Sequence, residues 1–129
     1  MDDNVRRIAL AFLAERAPEE QRSIVPRVHH AVQESLGTSP PEIGSVARLL
    51  AMHPRTLQRR LAAEGTSYAA ILDDVRRAAA SRYLTTTDLS LTQIARLLGL
   101  SEQSALTRCC RRWWGATPSA VRRDPALAS

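Results

Sequence analysis

Apolar side chains recur along this chain with the three- and four-residue spacing of amphipathic helices. One stripe predicts a short helix over residues 5–13, and a second predicts a helix that starts at Ser23 and stops at Gly37. No segment alternates apolar and polar residues between hairpin turns, so strands are not expected. The pattern therefore predicts an all-α protein. The two stripes consist of Val5, Ile8, Ala9, Phe12 and Leu13, and of Ile24, Val28, Ala31, Val32 and Leu36.

The part of the chain that follows Pro41 contains an internal repeat. The segment Val46-Ala-Arg-Leu-Leu-Ala-Met-His53 recurs 48 residues later as Ile94-Ala-Arg-Leu-Leu-Gly-Leu-Ser101. Each copy continues with a leucine and an arginine and closes on a glycine, and by that point the offset has grown to 50 residues. So small a drift indicates one supersecondary unit that is used twice.

The second copy predicts a helix, a tight turn and a second helix. Ser90 is the expected cap of a helix over Leu91–Leu98, Gly99 stands where a left-handed turn residue belongs, and Ser101 is the expected cap of the next helix. Ala95 lies four residues before the glycine, and a small side chain there lets the two helices cross closely. This arrangement is typical of a helix-turn-helix unit.

The first copy predicts the same unit with one change at the turn. Ala47 matches the small residue, but Ala51 replaces the glycine. If Ala51 adopts a positive φ, we expect strain of about 1 kcal/mol. His53 is the expected cap, and Pro54 begins the second helix, where proline is tolerated.

The second helix of each copy has polar side chains opposite a buried apolar seam. Leu57 and Leu61 are the expected seam in the first copy, and Leu106, Cys110 and Trp113 in the second. Arginine can pair with guanine, glutamine with adenine, and hydroxyls can reach phosphate. The alternative to a DNA-contact face is the solvated polar face of an ordinary helical bundle. That alternative would explain one such helix better than it explains two helices in equivalent positions. The outward residues are Arg55, Thr56, Gln58 and Arg59, and Gln103, Ser104, Thr107, Arg108 and Arg111.

A long linker helix is predicted between the two copies, over Tyr68–Leu84 with Ser67 as its cap. Seventeen helical residues span about 25 Å. A helix of that length could separate the two units by roughly one turn of DNA, about 34 Å. The neighbouring Asp73 and Asp74 are expected to pair with Arg76 and Arg77, because adjacent helix residues do not converge on one substrate as a catalytic pair would.

The charge of the chain is strongly basic and uneven. The formal net charge is +5, and all 18 basic residues are arginine. Residues 1–44 carry a net charge of −2, whereas residues 45–129 carry +7. Such a basic block indicates an anionic partner, with nucleic acid first and a membrane surface second. A GC-rich genome is the simpler explanation for the absence of lysine.

Several classes of protein and site are not expected. No stretch approaches the roughly 18–20 apolar residues of a membrane span, and the acidic start at Met1 lacks the basic region of a signal peptide. The adjacent Cys109 and Cys110 cannot join distant segments, which fits a reducing cytoplasm and a structural role. The neighbouring His29 and His30 point in different directions, and no phosphate loop or nucleophile motif is present. We therefore expect neither an enzyme nor a metal or cofactor site.

The chain resembles the AraC/XylS family of bacterial transcription regulators. The similarity rests on Ile94-Ala-Arg-Leu-Leu-Gly-Leu-Ser-Glu-Gln-Ser-Ala-Leu-Thr-Arg-Cys-Cys-Arg-Arg-Trp-Trp-Gly-Ala-Thr-Pro-Ser-Ala-Val-Arg122, and on Leu57–Leu61, Gly65–Tyr68 and Val75–Ala78. It covers about residues 24–123. The resemblance implies two helix-turn-helix subdomains joined by a linker helix, which bind promoter DNA in successive major grooves.

The resemblance also implies which residues contact bases. In the first unit these are Arg55, Gln58 and Arg59; in the second they are Gln103, Ser104, Thr107 and Arg108. The chain departs from the family at Leu100, Leu106 and Cys110, where aromatic residues are usual. Smaller side chains there predict looser packing of the second unit.

The working hypothesis is a sequence-specific regulator that binds double-stranded promoter DNA, located in the bacterial cytoplasm at the nucleoid. Residues 23–124 are the expected DNA-binding domain, with helix-turn-helix units at about 42–65 and 90–114. Residues 1–22 are either an amphipathic appendage or the remnant of an upstream effector or dimerisation domain. RNA polymerase is a further expected partner. The alternative function is a helical protein-interaction module with a basic face.

Overall fold

The structure, a computed structural model, describes residues 3–7 and 22–129, and within these ranges it is all-helical. Residues 3–7 are helical, and the remainder of the predicted helix over residues 5–13 lies outside the described residues. The predicted all-α class is confirmed. Seven α-helices follow, and a short 3-10 helix over Pro125–Ala128 comes after the last: α1 (Val25–Ser35), α2 (Ile43–Leu49), α3 (Pro54–Ala63), α4 (Tyr68–Thr86), α5 (Leu91–Leu97), α6 (Gln103–Trp114) and α7 (Pro118–Arg123).

Local side-chain caps start three of these helices where the sequence predicts them. His53 Nδ1 accepts a hydrogen bond from the Arg55 backbone N–H before α3, at 3.1 Å. The Ser67 hydroxyl accepts from the Ala70 N–H before α4. Ser90 forms a reciprocal capping box with Gln93 before α5.

The predicted cap at Ser101 is wrong. Helix α6 begins at Gln103, and the residue that precedes it, Glu102, makes no side-chain cap hydrogen bond. Ser101 therefore lies one position too early to reach the free amides of the first helical turn. The linker helix also runs two residues further than the predicted Leu84, to Thr86.

The two helix-turn-helix units have the same backbone hydrogen bonds at the turn. In the first, the Ala51 N–H donates to Arg48 O and the Met52 N–H to Ala47 O; in the second, the N–H groups of Gly99 and Leu100 make the equivalent bonds to Arg96 O and Ala95 O. Both turn residues are left-handed, with φ of 51° at Ala51 and 72° at Gly99. The repeat predicted from sequence is thus reproduced in the backbone.

Two clusters of buried side chains form the core, and α4 contributes to both. The N-terminal half of α4 supplies Ile71, Leu72 and Val75 to the first cluster, together with α1, α2 and α3. The C-terminal half supplies Ala79, Ala80 and Leu84 to the second, together with α5, α6 and α7. Among residues 22–129, the half-buried Leu36 packs against both clusters. Each helix-turn-helix unit therefore has its own core, and α4 is the helix common to the two.

Candidate nucleic-acid interface

Helix α3 is anchored to the first core cluster by one face and exposes the other. Leu57 and Leu61 on the inner face are 0% and 1% exposed. On the opposite face Arg55, Gln58 and Arg59 are exposed, with the spacing that places them in one row along the helix. Thr56, a further predicted contact residue, is half-buried at the edge of this row.

Helix α6 repeats this arrangement in the second unit. Leu106 and Cys110 are fully buried, which confirms them as core residues. Half-buried Trp113 packs against the same cluster. Four of the five predicted contact residues are exposed and Thr107 is half-buried; the exposed ones are Gln103, Ser104, Arg108 and Arg111. They form one stripe that runs along the helix for more than two turns.

Four arginines on these two faces have no side-chain partner within residues 3–7 and 22–129. Arg55, Arg59, Arg108 and Arg111 make no side-chain hydrogen bond or ion pair there. Each guanidinium is a permanent charge with five donor hydrogens, arranged to match phosphate or a guanine edge. The two helices therefore present four available planar cations on equivalent surfaces.

Two further arginines on the same helices stabilise the fold instead. Arg60 Nη2 donates to the Arg22 carbonyl at 3.2 Å. Arg112 forms an ion pair with Asp73 on α4 at 2.7 Å. Although both lie on helices that carry predicted contact residues, their guanidinium groups are engaged within the protein.

Gln103 at the start of α6 is held by a hydrogen bond that the sequence did not indicate. The Thr92 hydroxyl on α5 donates to Gln103 Oε1 at 3.4 Å. The side-chain Nε2 of Gln103 thus keeps both hydrogens for an external acceptor. Thr92 corresponds to Gly44 in the first copy, and glycine has no side chain, so the repeat does not predict this contact.

The predicted pairing of the α4 carboxylates is correct for one residue and wrong for the other. Asp74 pairs with Arg77 at 3.4 Å, as expected. Asp73, however, accepts hydrogen bonds from Arg112 and from Trp113 Nε1, 39 and 40 residues away along the chain. The hydrogen bond from Arg112 lowers the pKa of Asp73.

Arg76 also differs from its predicted role. Instead of pairing with an aspartate on its own helix, it donates from Nε to the Leu98 carbonyl at 2.8 Å and from Nη2 to the Gly99 carbonyl at 3.2 Å. Burial lowers the pKa of the Arg76 guanidinium, which nonetheless stays positively charged at neutral pH. These contacts join α4 to the turn of the second unit, where the last carbonyls of α5 need partners.

The described part of the chain has no cluster of histidine, cysteine, aspartate and glutamate suited to a metal ion. Within the same part, no helix combines the length and apolar character required to span a membrane. An apolar groove of about 480 Å³ lies between α1 and α2, lined in part by Pro26, Ala31 and the 60%-exposed Leu49. The exposed arginines without partners among the described residues make the polar faces of α3 and α6 the candidate functional surface.

Comparison with protein families identifies the class of this domain. Residues 46–124, which include the second unit and the first unit from Val46 onward, match the family model described as a helix-turn-helix domain. The chain belongs to the AraC/XylS-type helix-turn-helix family. This is a family of DNA-binding domains of transcription regulators, not of enzymes.

Among AraC/XylS-type relatives, the chain is similar to the HTH-type transcriptional regulator VirS of Mycobacterium tuberculosis. The two are 46% identical over 121 residues, which cover 94% of this chain and 36% of the relative. The chain is also 45% identical over 85 residues to the ornithine utilization regulator of Pseudomonas aeruginosa, covering 66% of this chain and 25% of that protein. The chain thus spans about a third or less of the length of these relatives.

A solved AraC/XylS-type structure supports the fold in three dimensions. The DNA-binding domain of AdpA, a global transcriptional factor solved in complex with a target DNA, superposes with a TM-score of 0.66 at 27% sequence identity. The match covers 81% of this chain and 98% of that one. Two helix-turn-helix units joined by a long helix are therefore the architecture of a known DNA-binding domain.

Proposed function

We propose that the chain is a sequence-specific regulator that binds double-stranded promoter DNA and inserts α3 and α6 into successive major-groove segments. One observation carries this proposal. Two equivalent helices each present unpartnered arginines together with amide and hydroxyl side chains, and both are second helices of units with matching turns. A surface that only needed to be soluble would not require polar contact chemistry on both second helices, with Arg59 and Arg108 at matching positions of the repeat.

The length of α4 suits contact with two neighbouring grooves. Its 19 residues span about 28 Å at the α-helical rise. Successive major-groove segments on one face of DNA are roughly 34 Å apart. Since each unit packs on a different half of α4, their second helices can meet the same face of the duplex about one turn apart.

The individual contacts divide by side-chain chemistry. We assign base-edge contacts to Arg55, Gln58 and Arg59 of α3, because a guanidinium pairs with guanine and an amide with adenine. Thr56, at the edge of that row, is assigned to phosphate. On α6 we assign base-edge contacts to Gln103, Ser104, Thr107 and Arg108, and a phosphate contact to Arg111.

The proposed DNA-binding domain is residues 23–124, with residues 1–22 as an appendage or as the remnant of an upstream domain. The start of this domain is supported by a hydrogen bond from the Ile24 N–H to a Glu64 carboxylate oxygen, at 3.0 Å, which joins the first helix to the end of α3. Hydrogen bonding to Ser23 and Ile24 lowers the pKa of Glu64. Packing continues past residue 124, because Ala128 lies against the second core cluster.

Binding of the whole chain to a selected duplex tests the proposal. Fragments chosen from random DNA by the chain should share two boxes about 10 base pairs apart. By anisotropy, log affinity should fall with log salt with a slope of about −0.9 for each phosphate contacted, so several contacts give a steep line. Absence of salt-sensitive duplex binding at micromolar protein would overturn the proposal and favour the alternative, a protein-interaction module with a basic face.

Two further partners remain predictions that follow from this function. A promoter-bound regulator works close to RNA polymerase, and an upstream effector or dimerisation domain would give the DNA-binding domain its signal. A location in the cytoplasm at the nucleoid follows in the same way, because promoter DNA is found there. A chain that binds no promoter fragment from a bacterial genome would remove the basis for all three.

A further inference from the structure

Two polar residues of α4 connect the first half of the domain to the second unit. Asp73 and Arg76 lie in the segment of α4 whose apolar neighbours, Ile71 and Val75, belong to the first core cluster. The partners of both side chains belong instead to the second unit. These hydrogen bonds therefore join the N-terminal half of α4, which packs with the first unit, to the second unit.

Asp73 accepts hydrogen bonds from two consecutive residues at the C-terminal end of α6. Its carboxylate accepts from Arg112 Nη1 at 3.0 Å and Nη2 at 2.7 Å, and from Trp113 Nε1 at 3.0 Å. The guanidinium of Arg112 also lies 5.6 Å from the centre of the Trp113 ring. A two-pronged arginine contact and an indole contact on one carboxylate restrict both the rotation and the tilt of α6.

Arg76 and Gly37 hold the other end of the second unit. Arg76 donates to the carbonyls of Leu98 and Gly99, in the turn that leads to α6. The loop after α1 approaches so closely that a Cβ added at Gly37 would lie 2.6 Å from the Leu97 carbonyl oxygen. The second unit is therefore tied to the first at its turn as well as at the end of α6.

From these contacts we propose that Asp73 is a positioning residue for DNA recognition, which sets the spacing between the two boxes that α3 and α6 recognise. This rests on the proposed function. Once one helix is bound, the other meets its box as an intramolecular event, whose effective concentration depends on how well the separation of the two helices is fixed. Loss of the Asp73 contacts lowers the affinity for the best spacing and widens the range of spacings that are accepted.

The test compares duplexes that differ only in box spacing. The wild-type chain selects a two-box duplex from random DNA, and one base pair is then added to or removed from the spacer, or one box is scrambled. Asp73→Asn should bind the selected duplex about ten-fold more weakly. Relative to wild type, Asp73→Asn should lose much less affinity for duplexes with altered spacers. It should lose no affinity for the duplex that retains only the α3 box. Asp74→Asn, which breaks only a pair within α4, is the matched control and should behave as wild type.

A second variant separates positioning from general loss of structure. Trp113→Phe keeps an aromatic ring but removes the indole N–H that donates to Asp73. It should therefore weaken the preference for one box spacing, as Asp73→Asn does, but to a smaller extent. Asp73→Glu keeps a carboxylate and should recover part of the wild-type preference. Circular dichroism and thermal melting show which variants are folded at the assay temperature.

The outcomes distinguish the two proposals. If folded Asp73→Asn and Trp113→Phe keep the full wild-type preference for one spacing, Asp73 stabilises the fold and does not position α6. If the single-box duplex loses as much affinity as the two-box duplex, the positioning role is likewise wrong. If the wild-type chain selects no duplex at all, the proposed function fails, and the positioning role fails with it.

Discussion

Ala51 and Gly99 occupy the same position in two turns that lie 48 residues apart, and both have a left-handed backbone. The N–H of each donates to the carbonyl three residues earlier, at 3.1 Å for Ala51 and 3.0 Å for Gly99. Glycine adopts this conformation freely, whereas an L-residue pays about 1–2 kcal/mol for it. The first turn therefore stores strain that the second does not.

The two single substitutions Ala51→Gly and Gly99→Ala should change the free energy of unfolding in opposite directions. Ala51→Gly should raise the free energy of unfolding by about 0.5 kcal/mol, since the strain that is relieved exceeds the added flexibility of the unfolded chain. Gly99→Ala should lower it by about 1 kcal/mol. Its new Cβ would meet Arg76 Nη2 at 3.5 Å, an ordinary contact, so strain rather than collision decides the result. Urea unfolding with an unchanged m-value measures both, and a destabilised Ala51→Gly would contradict this account.

Arg59 and Arg108 are equivalent in the repeat, exposed and without partners among the described residues. Replacement of either with alanine should weaken binding to the selected duplex by about 1–3 kcal/mol and relax the preference at one base position. Arg27→Ala, which removes an exposed arginine from α1, controls for the lost charge. Equal losses on the selected and on random duplexes would instead make these arginines phosphate contacts.

The contacts of Asp73 should make part of the stability depend on pH. Hydrogen bonds from Arg112 and then Trp113 lower the pKa of Asp73 from its ordinary 3.8 in the folded protein. A carboxylate with a lowered pKa stabilises the fold above its unfolded-state pKa, and this contribution is lost as the pH falls through the folded-state value. The difference in unfolding free energy between wild type and Asp73→Asn should therefore be constant from about pH 8 to 5 and shrink below about pH 4.

Urea unfolding of both proteins across this pH range measures the effect. Asp74→Asn is the control and should differ little from wild type, because its exposed ion pair with Arg77 contributes little to stability. A difference between wild type and Asp73→Asn that grows as the pH falls would show that the carboxylate is not stabilised by its contacts.

The two cysteines should react very differently despite being adjacent. Cys110 is fully buried in the second core cluster, and burial raises the pKa of its thiol to about 12. Since the thiolate is the reactive form, iodoacetamide at pH 8 should leave Cys110 unmodified in the folded chain and modify it after denaturation. Mass spectrometry of Cys109→Ser, whose one remaining thiol is Cys110, gives the cleanest measurement. Rapid labelling of that variant without denaturant would show that Cys110 is accessible.

Much of this domain follows from local sequence. The spacing of Leu57 and Leu61 defines the buried side of α3, and the caps at His53, Ser67 and Ser90 act within three residues of themselves. Such features depend on helical periodicity and on amides of the next turn, which any stretch of sequence displays by itself. The internal repeat also predicts that the two segments fold into the same unit, because equivalent residues require equivalent surroundings. The repeat thereby predicts the exposed arginines of α3 and α6.

The tertiary structure alone decided which charges are available. Arg112 and Arg111 are neighbours with the same chemistry, yet only Arg112 reaches Asp73 across the interface between α6 and α4. Asp73 likewise differs from Asp74 only in the direction it faces, and that direction gives it a partner 39 residues away. Local patterns cannot predict these pairs, since they depend on how two separately packed units meet. For this protein the sequence therefore determined the two DNA-binding units, and the packing between them determined their relative orientation.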